Sequence, residues 1–135
     1  MSENQLAEKL LAEARNYREK AYAPYSKYLV GAAVLDDQGR IFGGCNIENC
    51  SYGATVCAER VAILTAVAAG AKAIKALAVV VAPGDPAKPC GICRQVIAEF
   101  AAEDFKAYLG WTGDEYKEFS FSDLLPDAFR PEDLK

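Results

Sequence analysis

The sequence predicts an α/β fold in which helices pack on a mixed β-sheet, and three observations carry that expectation. Apolar residues recur at three- and four-residue spacing in a charged N-terminal segment, "IKALAVVVA" is a continuous apolar run, and helix-like and strand-like segments alternate along the 135 residues. A strand apolar on both faces belongs in the middle of a sheet covered on both sides.

Leu6, Leu10, Leu11 and Ala14 lie among charges between Ser2 and about Lys20, the pattern of an amphipathic first helix. "APYSKY" interrupts it with Pro24. "LVGAAVL", a turn at "DDQG", and "RIFGGCN" then read as two strands of a hairpin. The polar "IENCSYG" is a loop, and "CAERVAILTAVAAG" from Cys57 to Gly70 reads as a buried helix ended by glycine. The apolar strand follows, then the proline-rich loop "PGDPAKP", and "CGICRQVIAEFA" opens a third helix. "FKAYLGW" and "KEFSFS" read as short late strands, with "SDLLP" a capped turn. The length suits one domain over residues 1–135, without repeat, low-complexity tract or linker.

An apolar fraction of 52% and a charged fraction of 25% are those of a folded globular chain. The net charge of −4, with no run of lysine or arginine, argues against duplex nucleic acid as a partner. "MSENQLAEKLLAEARNYREK" has acidic residues throughout and resembles neither a secretory signal nor a transit peptide. No apolar run approaches the roughly 20 residues needed to span a bilayer, so a cytoplasmic location is expected.

There is no histidine, so no imidazole can serve as base or ligand. Five cysteines, Cys45, Cys50, Cys57, Cys90 and Cys93, form an odd set in a chain without export signals, which favours metal binding or catalysis over a disulfide framework. Cys57 falls at one loop-to-helix junction and the Cys90–Cys93 pair at the next, so three thiolates can converge at two helix N-termini, where the macrodipole favours the ionised form. Three protein ligands leave the fourth position of a tetrahedral zinc open to water, which the metal acidifies. Glu59, two residues after a ligand, is placed to carry that water's proton.

Three thiolates on Zn²⁺ leave a net charge of −1, which Arg60 can offset by donating to ligand sulfur, with Arg94 a second candidate. Outer-shell groups of this kind typically matter by ~10–100-fold. Taken singly, Glu59 reads as a helix-start glutamate favoured by the dipole, Arg60 as a surface charge, and the cysteines as small buried thiols. Their spacing together favours the metal site. Cys45 and Cys50 have no assigned role beyond small fillers.

"CAE" followed downstream by "PCGIC", with "YSKYLVGAAV", "NIENCSYGATVCAERVAI", "PCGICRQV" and the terminal "LLPDAF", resembles the zinc-dependent cytidine and deoxycytidylate deaminases, and the all-cysteine form resembles their small homotetrameric members. The resemblance implies a three-layer α-β-α sandwich around a mixed, mostly five-stranded sheet. It implies one Zn²⁺ per subunit on Cys57, Cys90 and Cys93, with Glu59 as proton shuttle and Arg60 tempering the thiolate charge. Asn46 and Glu48 match the family's ribose-hydroxyl contacts, and Tyr28 takes the place of a phenylalanine that packs on the pyrimidine. Backbone amides near Cys57 and Ala58 would orient the base carbonyl. Tyr52 and Phe129 match positions that reach a neighbouring subunit's site, which implies a homotetramer. The implied reaction is hydrolytic deamination of cytidine or 2′-deoxycytidine in pyrimidine salvage. The alternatives are a deaminase of a modified cytosine nucleoside or nucleoside antibiotic, and a non-catalytic zinc-stabilised binding module in which Cys45 or Cys50 closes the fourth position.

Overall fold

In the computed structural model, which describes residues 1–134, helix α1 spans Glu3–Arg18. Ser2 caps it: its hydroxyl accepts from the Gln5 amide while the Gln5 side chain accepts from the Ser2 amide, satisfying two donors that a helix start otherwise leaves free. Leu10, Leu11 and Ala14 are buried as the spacing predicts, with Ala7 buried beside them and Leu6 half-buried at the edge of the face.

Strands β1 (Gly31–Asp36) and β2 (Ile41–Cys45) form the expected antiparallel hairpin. Asp36 closes its turn, accepting from the Gln38 amide at 3.0 Å, the Arg40 amide at 2.7 Å and Arg40 Nε at 2.8 Å. Gly39 supplies the left-handed residue of that turn, with φ 81°. Helix α2 spans Ala58–Ala68, β3 Ile74–Val80, α3 Gly91–Phe100, β4 Ala101–Gly110 and β5 Tyr116–Ser120. A short helix, α4, covers Phe121–Leu124.

The five strands make one mixed sheet in the order β2-β1-β3-β4-β5. β3, the continuous apolar run, takes the central place its composition called for. It pairs antiparallel with β1 and parallel with β4, and β4 pairs antiparallel with β5. On one face α1 packs against Ala33, Ala76, Ala78, Val80 and Tyr108. On the other, Ala62, Ile63 and Ala66 of α2 and Ile97 of α3 pack with Val34, Leu77, Val79 and Leu109. The result is the expected three-layer α-β-α sandwich.

Two late elements differ from the sequence reading. β4 starts at Ala101 rather than near Phe105, because the chain turns extended immediately after α3 and Ala101 pairs with Ile74 across a register irregularity. The last helix begins at Phe121 rather than at Ser122, because Ser120 and Asp123 form a capping box that starts it earlier.

This topology positions the site. β2 and β3 are each antiparallel to β1 and therefore run in the same direction, so the helices that follow them begin at the same edge of the sheet. Ligand sites in α/β folds form at such strand ends. Close packing of α2 on β2 depends on Gly44, where a Cβ would come within 2.5 Å of the Ala62 amide nitrogen and 2.8 Å of the Ala58 carbonyl oxygen. No helix among the described residues is long and apolar enough to cross a membrane.

Candidate active site

Cys57 and Cys90 are the residues that cap α2 and α3, and Cys93 lies in the first turn of α3. Their sulfurs lie within 4.8 Å of one another, with Cys57 Sγ 3.8 Å from Cys90 Sγ. Ligands at ~2.3 Å around a tetrahedral zinc stand ~3.8 Å apart, so the sulfur spacing suits that ion. Cys90 Sγ also accepts the Cys93 amide at 3.4 Å, which uses one of the free donors of the helix start.

The ionisation pattern points the same way. Donation from Cys93, assisted by Arg60 and Cys90, lowers the Cys57 thiol to about 5 against the cost of burial. Cys93 moves upward, since it donates to the Cys57 thiolate and is itself buried. One thiolate thus suppresses ionisation of its neighbour, and a bound cation is what allows all three sulfurs to ionise together.

Arg60 Nη2 donates to Cys57 Sγ at 3.5 Å. Arg94, the other candidate for that task, is used elsewhere: Nε donates to the Pro89 carbonyl at 2.8 Å and Nη1 to the Leu124 carbonyl at 2.6 Å. It points along the loop and towards α4, so it buttresses the Cys90 turn rather than touching sulfur. Cys45 is buried at the end of β2 and Cys50 is exposed on the following loop, and neither belongs to the sulfur cluster. A closed four-cysteine site therefore does not form.

Glu59 is 4% exposed, and burial, with the Cys57 charge adding to it, pushes its carboxyl up to about 7. A carboxyl with that value can both take and give a proton near neutrality. It lines a cleft of about 240 Å³ together with Cys57, Ala58, Cys90, Tyr28, Asn46 and Glu48. Residues not singled out in the sequence complete its walls: Ser26, Val30, Thr55, Val79, Val81 and Lys88. Ser26 and Val30 fall within the quoted "YSKYLVGAAV", and Val79 and Val81 within the apolar β3 run. Thr55 falls within the quoted "NIENCSYGATVCAERVAI", and Lys88 gave no signal of its own.

Asn46 is 8% exposed, and its side chain binds the segment that carries Tyr28. Nδ2 donates to the Tyr28 carbonyl at 2.8 Å and Oδ1 accepts from the Val30 amide at 2.9 Å. One amide hydrogen and one lone pair remain for a ligand. Glu48 is held by Ser26 and Tyr25, with the Ser26 hydroxyl the main influence keeping its carboxyl below the usual range. Tyr28 is raised by burial and by the charges of Asp85 and Glu59. Tyr52 and Phe129 are exposed and lie outside this cleft's lining; Tyr52 packs edge-on against Tyr25, with ring centroids 6.1 Å apart.

Comparison with known proteins agrees with this geometry. The sequence pattern of the cytidine and deoxycytidylate deaminase zinc-binding region matches residues 4–109, a span that contains all three sulfur ligands and Glu59. A cytidine deaminase of Sporosarcina psychrophila is 51% identical over 127 residues, covering 94% of this chain and 93% of its own. One from Halalkalibacterium halodurans is 48% identical over 125 residues, covering 93% and 95%. The crystal structure of cytidine deaminase from Burkholderia pseudomallei superposes with a TM-score of 0.85 at 44% identity, over 96% of this chain and 100% of the other. With the expected sheet, the three-sulfur site and matches along almost its whole length, the chain belongs to the cytidine and deoxycytidylate deaminase family.

Proposed function

We propose that the protein hydrolyses the 4-amino group of cytidine and 2′-deoxycytidine, consuming water and giving uridine or 2′-deoxyuridine and ammonia. The observation that carries this reading is the meeting of three sulfurs and one buried carboxylate at a cleft whose walls combine Val30, Val79, Val81 and Tyr28 with the polar Asn46 and Glu48. Cys57, Cys90 and Cys93 would hold one zinc ion per subunit, which when bound polarises the attacking water.

Glu59 accepts a proton from that water as its oxygen bonds to C4 of the pyrimidine. It delivers that proton to N3, then takes the remaining proton from the new C4 hydroxyl and gives it to the amino group as the C4–N bond breaks, so that ammonia leaves and the C4 carbonyl forms. Its elevated value supports this traffic in both directions. Arg60 offsets the excess thiolate charge. Tyr28 packs on the pyrimidine ring, and the free amide at Ala58, in the first turn of α2, receives the base carbonyl.

Asn46 and Glu48 bind the sugar hydroxyls, a pairing that a free base would leave unmade. The exposure of Tyr52 and Phe129 supports a homotetramer in which each completes a neighbour's cleft. The whole chain, residues 1–135, acts as one catalytic domain, in the cytoplasm, in pyrimidine salvage. Cytidine loss followed by ultraviolet absorbance, with ammonia release, before and after metal removal tests the proposal. Activity that vanishes on chelation and returns with zinc is expected; no turnover of the zinc-loaded protein on either nucleoside would refute it.

A further inference from the structure

The turn between α1 and β1 joins two parts of the cleft that the sequence keeps far apart. Glu48 lies beyond β2, yet its carboxylate is held by residues 25 and 26: Oε1 accepts from the Tyr25 amide at 3.0 Å and the Ser26 amide at 3.1 Å, and Oε2 accepts from Ser26 Oγ. The same Ser26 hydroxyl accepts the Tyr28 amide at 3.0 Å. One hydroxyl therefore donates to the carboxylate assigned to the sugar and accepts from the backbone of the aromatic wall assigned to the base.

The turn is also strained. Between the two contacts, Lys27 sits at φ 60°, a left-handed conformation that residues with side chains rarely adopt. Its amide is tied to the Ala23 carbonyl at 3.0 Å. Such a conformation persists only where surrounding contacts hold it, and it is found at sites that bind ligands. Here it brings the Tyr28 amide back onto Ser26 Oγ.

A carboxylate offers roughly four acceptor positions and no donor. Three at Glu48 are filled from the turn, two on Oε1 and one on Oε2. The remaining lone pair on Oε2 can accept only from a donor such as a hydroxyl, and the Ser26 bond to the same oxygen sets its direction.

We infer that Ser26 is a positioning residue that aims the last free lone pair of Glu48 at a sugar hydroxyl, so that selection for a hydroxylated sugar depends on Ser26 as well as on Glu48. The inference rests on the nucleoside-deaminase reading above.

Steady-state kinetics on cytidine and on 2′,3′-dideoxycytidine, which lacks the 2′- and 3′-hydroxyls and keeps the 5′-hydroxyl, test it. Ser26→Ala is expected to raise KM for cytidine about tenfold with little change in kcat, and to lower kcat/KM for the dideoxy substrate, through the lost Tyr28 contact alone, by no more than about threefold. Ser26→Thr, which keeps the hydroxyl, should restore most of the preference for cytidine. In the Glu48→Gln background, adding Ser26→Ala should cost no more than about another twofold, because the two act as one unit. Equal losses on both substrates, an unchanged preference for cytidine, or fully additive losses would overturn the inference. Absence of cytidine turnover in the unaltered protein would instead overturn the deaminase reading itself, and this inference with it.

Discussion

Arg60 Nη2 stands 3.5 Å from the sulfur of Cys57, while the Arg60 Nε is buried with no hydrogen-bond partner among the described residues. A guanidinium held with one donor unused is costly, and such a group is retained where its charge is needed. Here the charge faces a three-thiolate set that would otherwise hold zinc at net −1. Arg60→Gln should keep zinc bound at one equivalent and lower kcat by ~10–100-fold. Metal analysis beside steady-state assays checks this, and a variant with full turnover would remove Arg60 from the account.

The backbone approach of α2 to β2 at Gly44 leaves no room for a methyl group. Gly44→Ala would set a Cβ 2.5 Å from the Ala62 nitrogen, which belongs to a helix backbone and cannot rotate away. The helix must shift, at a cost of ~1–3 kcal/mol. Because α2 carries Cys57 and Glu59 at its start, zinc affinity should weaken along with stability. Denaturant unfolding and metal competition would show both losses.

Asp36 is fully buried under its own hairpin turn. Burial alone would raise its carboxyl, but bonds from the amides of Arg40 and Gln38 and from the Arg40 side chain outweigh it and lower the value. A depressed carboxyl contributes stability that is complete above the ordinary Asp range and is lost as pH falls through the native value. Asp36→Ala should cost ~1–3 kcal/mol at pH 7, and the difference from the unaltered protein should shrink in acid. Unfolding curves at pH 7 and below pH 4 give the comparison.

Glu59 has the opposite sign. Its native value of about 7 lies above the ordinary 4.5, so the native state holds this proton more tightly than the unfolded chain does. In chelator-treated protein its contribution is complete below about pH 4.5 and is lost as pH rises through about 7. Chelated Glu59→Gln should therefore be the more stable protein at pH 8, by at most ~3 kcal/mol, and the advantage should fade towards pH 5. Thermal unfolding of both proteins across that range tests the sign.

The sulfur cluster was legible because its signal is local: a cysteine at each of two helix starts, with the carboxylate two residues after the first of them. The first helix was legible for the same reason, its periodicity lying within a single element. Ser26 was not, because its partner Glu48 is brought to it by long-range contacts, among them the isolated bridge that ties Tyr22 to Ile47 and the Asn46 bonds to Tyr28 and Val30. Arg94 was misjudged as a sulfur donor because adjacency to Cys93 says nothing of direction, and its guanidinium turns to carbonyls of Pro89 and Leu124. The early start of β4 was equally hidden, since Ala101 extends only to pair with Ile74.

Turnover of cytidine by zinc-loaded Glu59→Gln tests the central claim most directly. Glutamine keeps the size of the side chain but cannot shuttle a proton, so the account predicts a loss of ~10²–10⁴-fold in kcat with zinc still bound at one equivalent. Near-normal turnover in a zinc-loaded variant would contradict it.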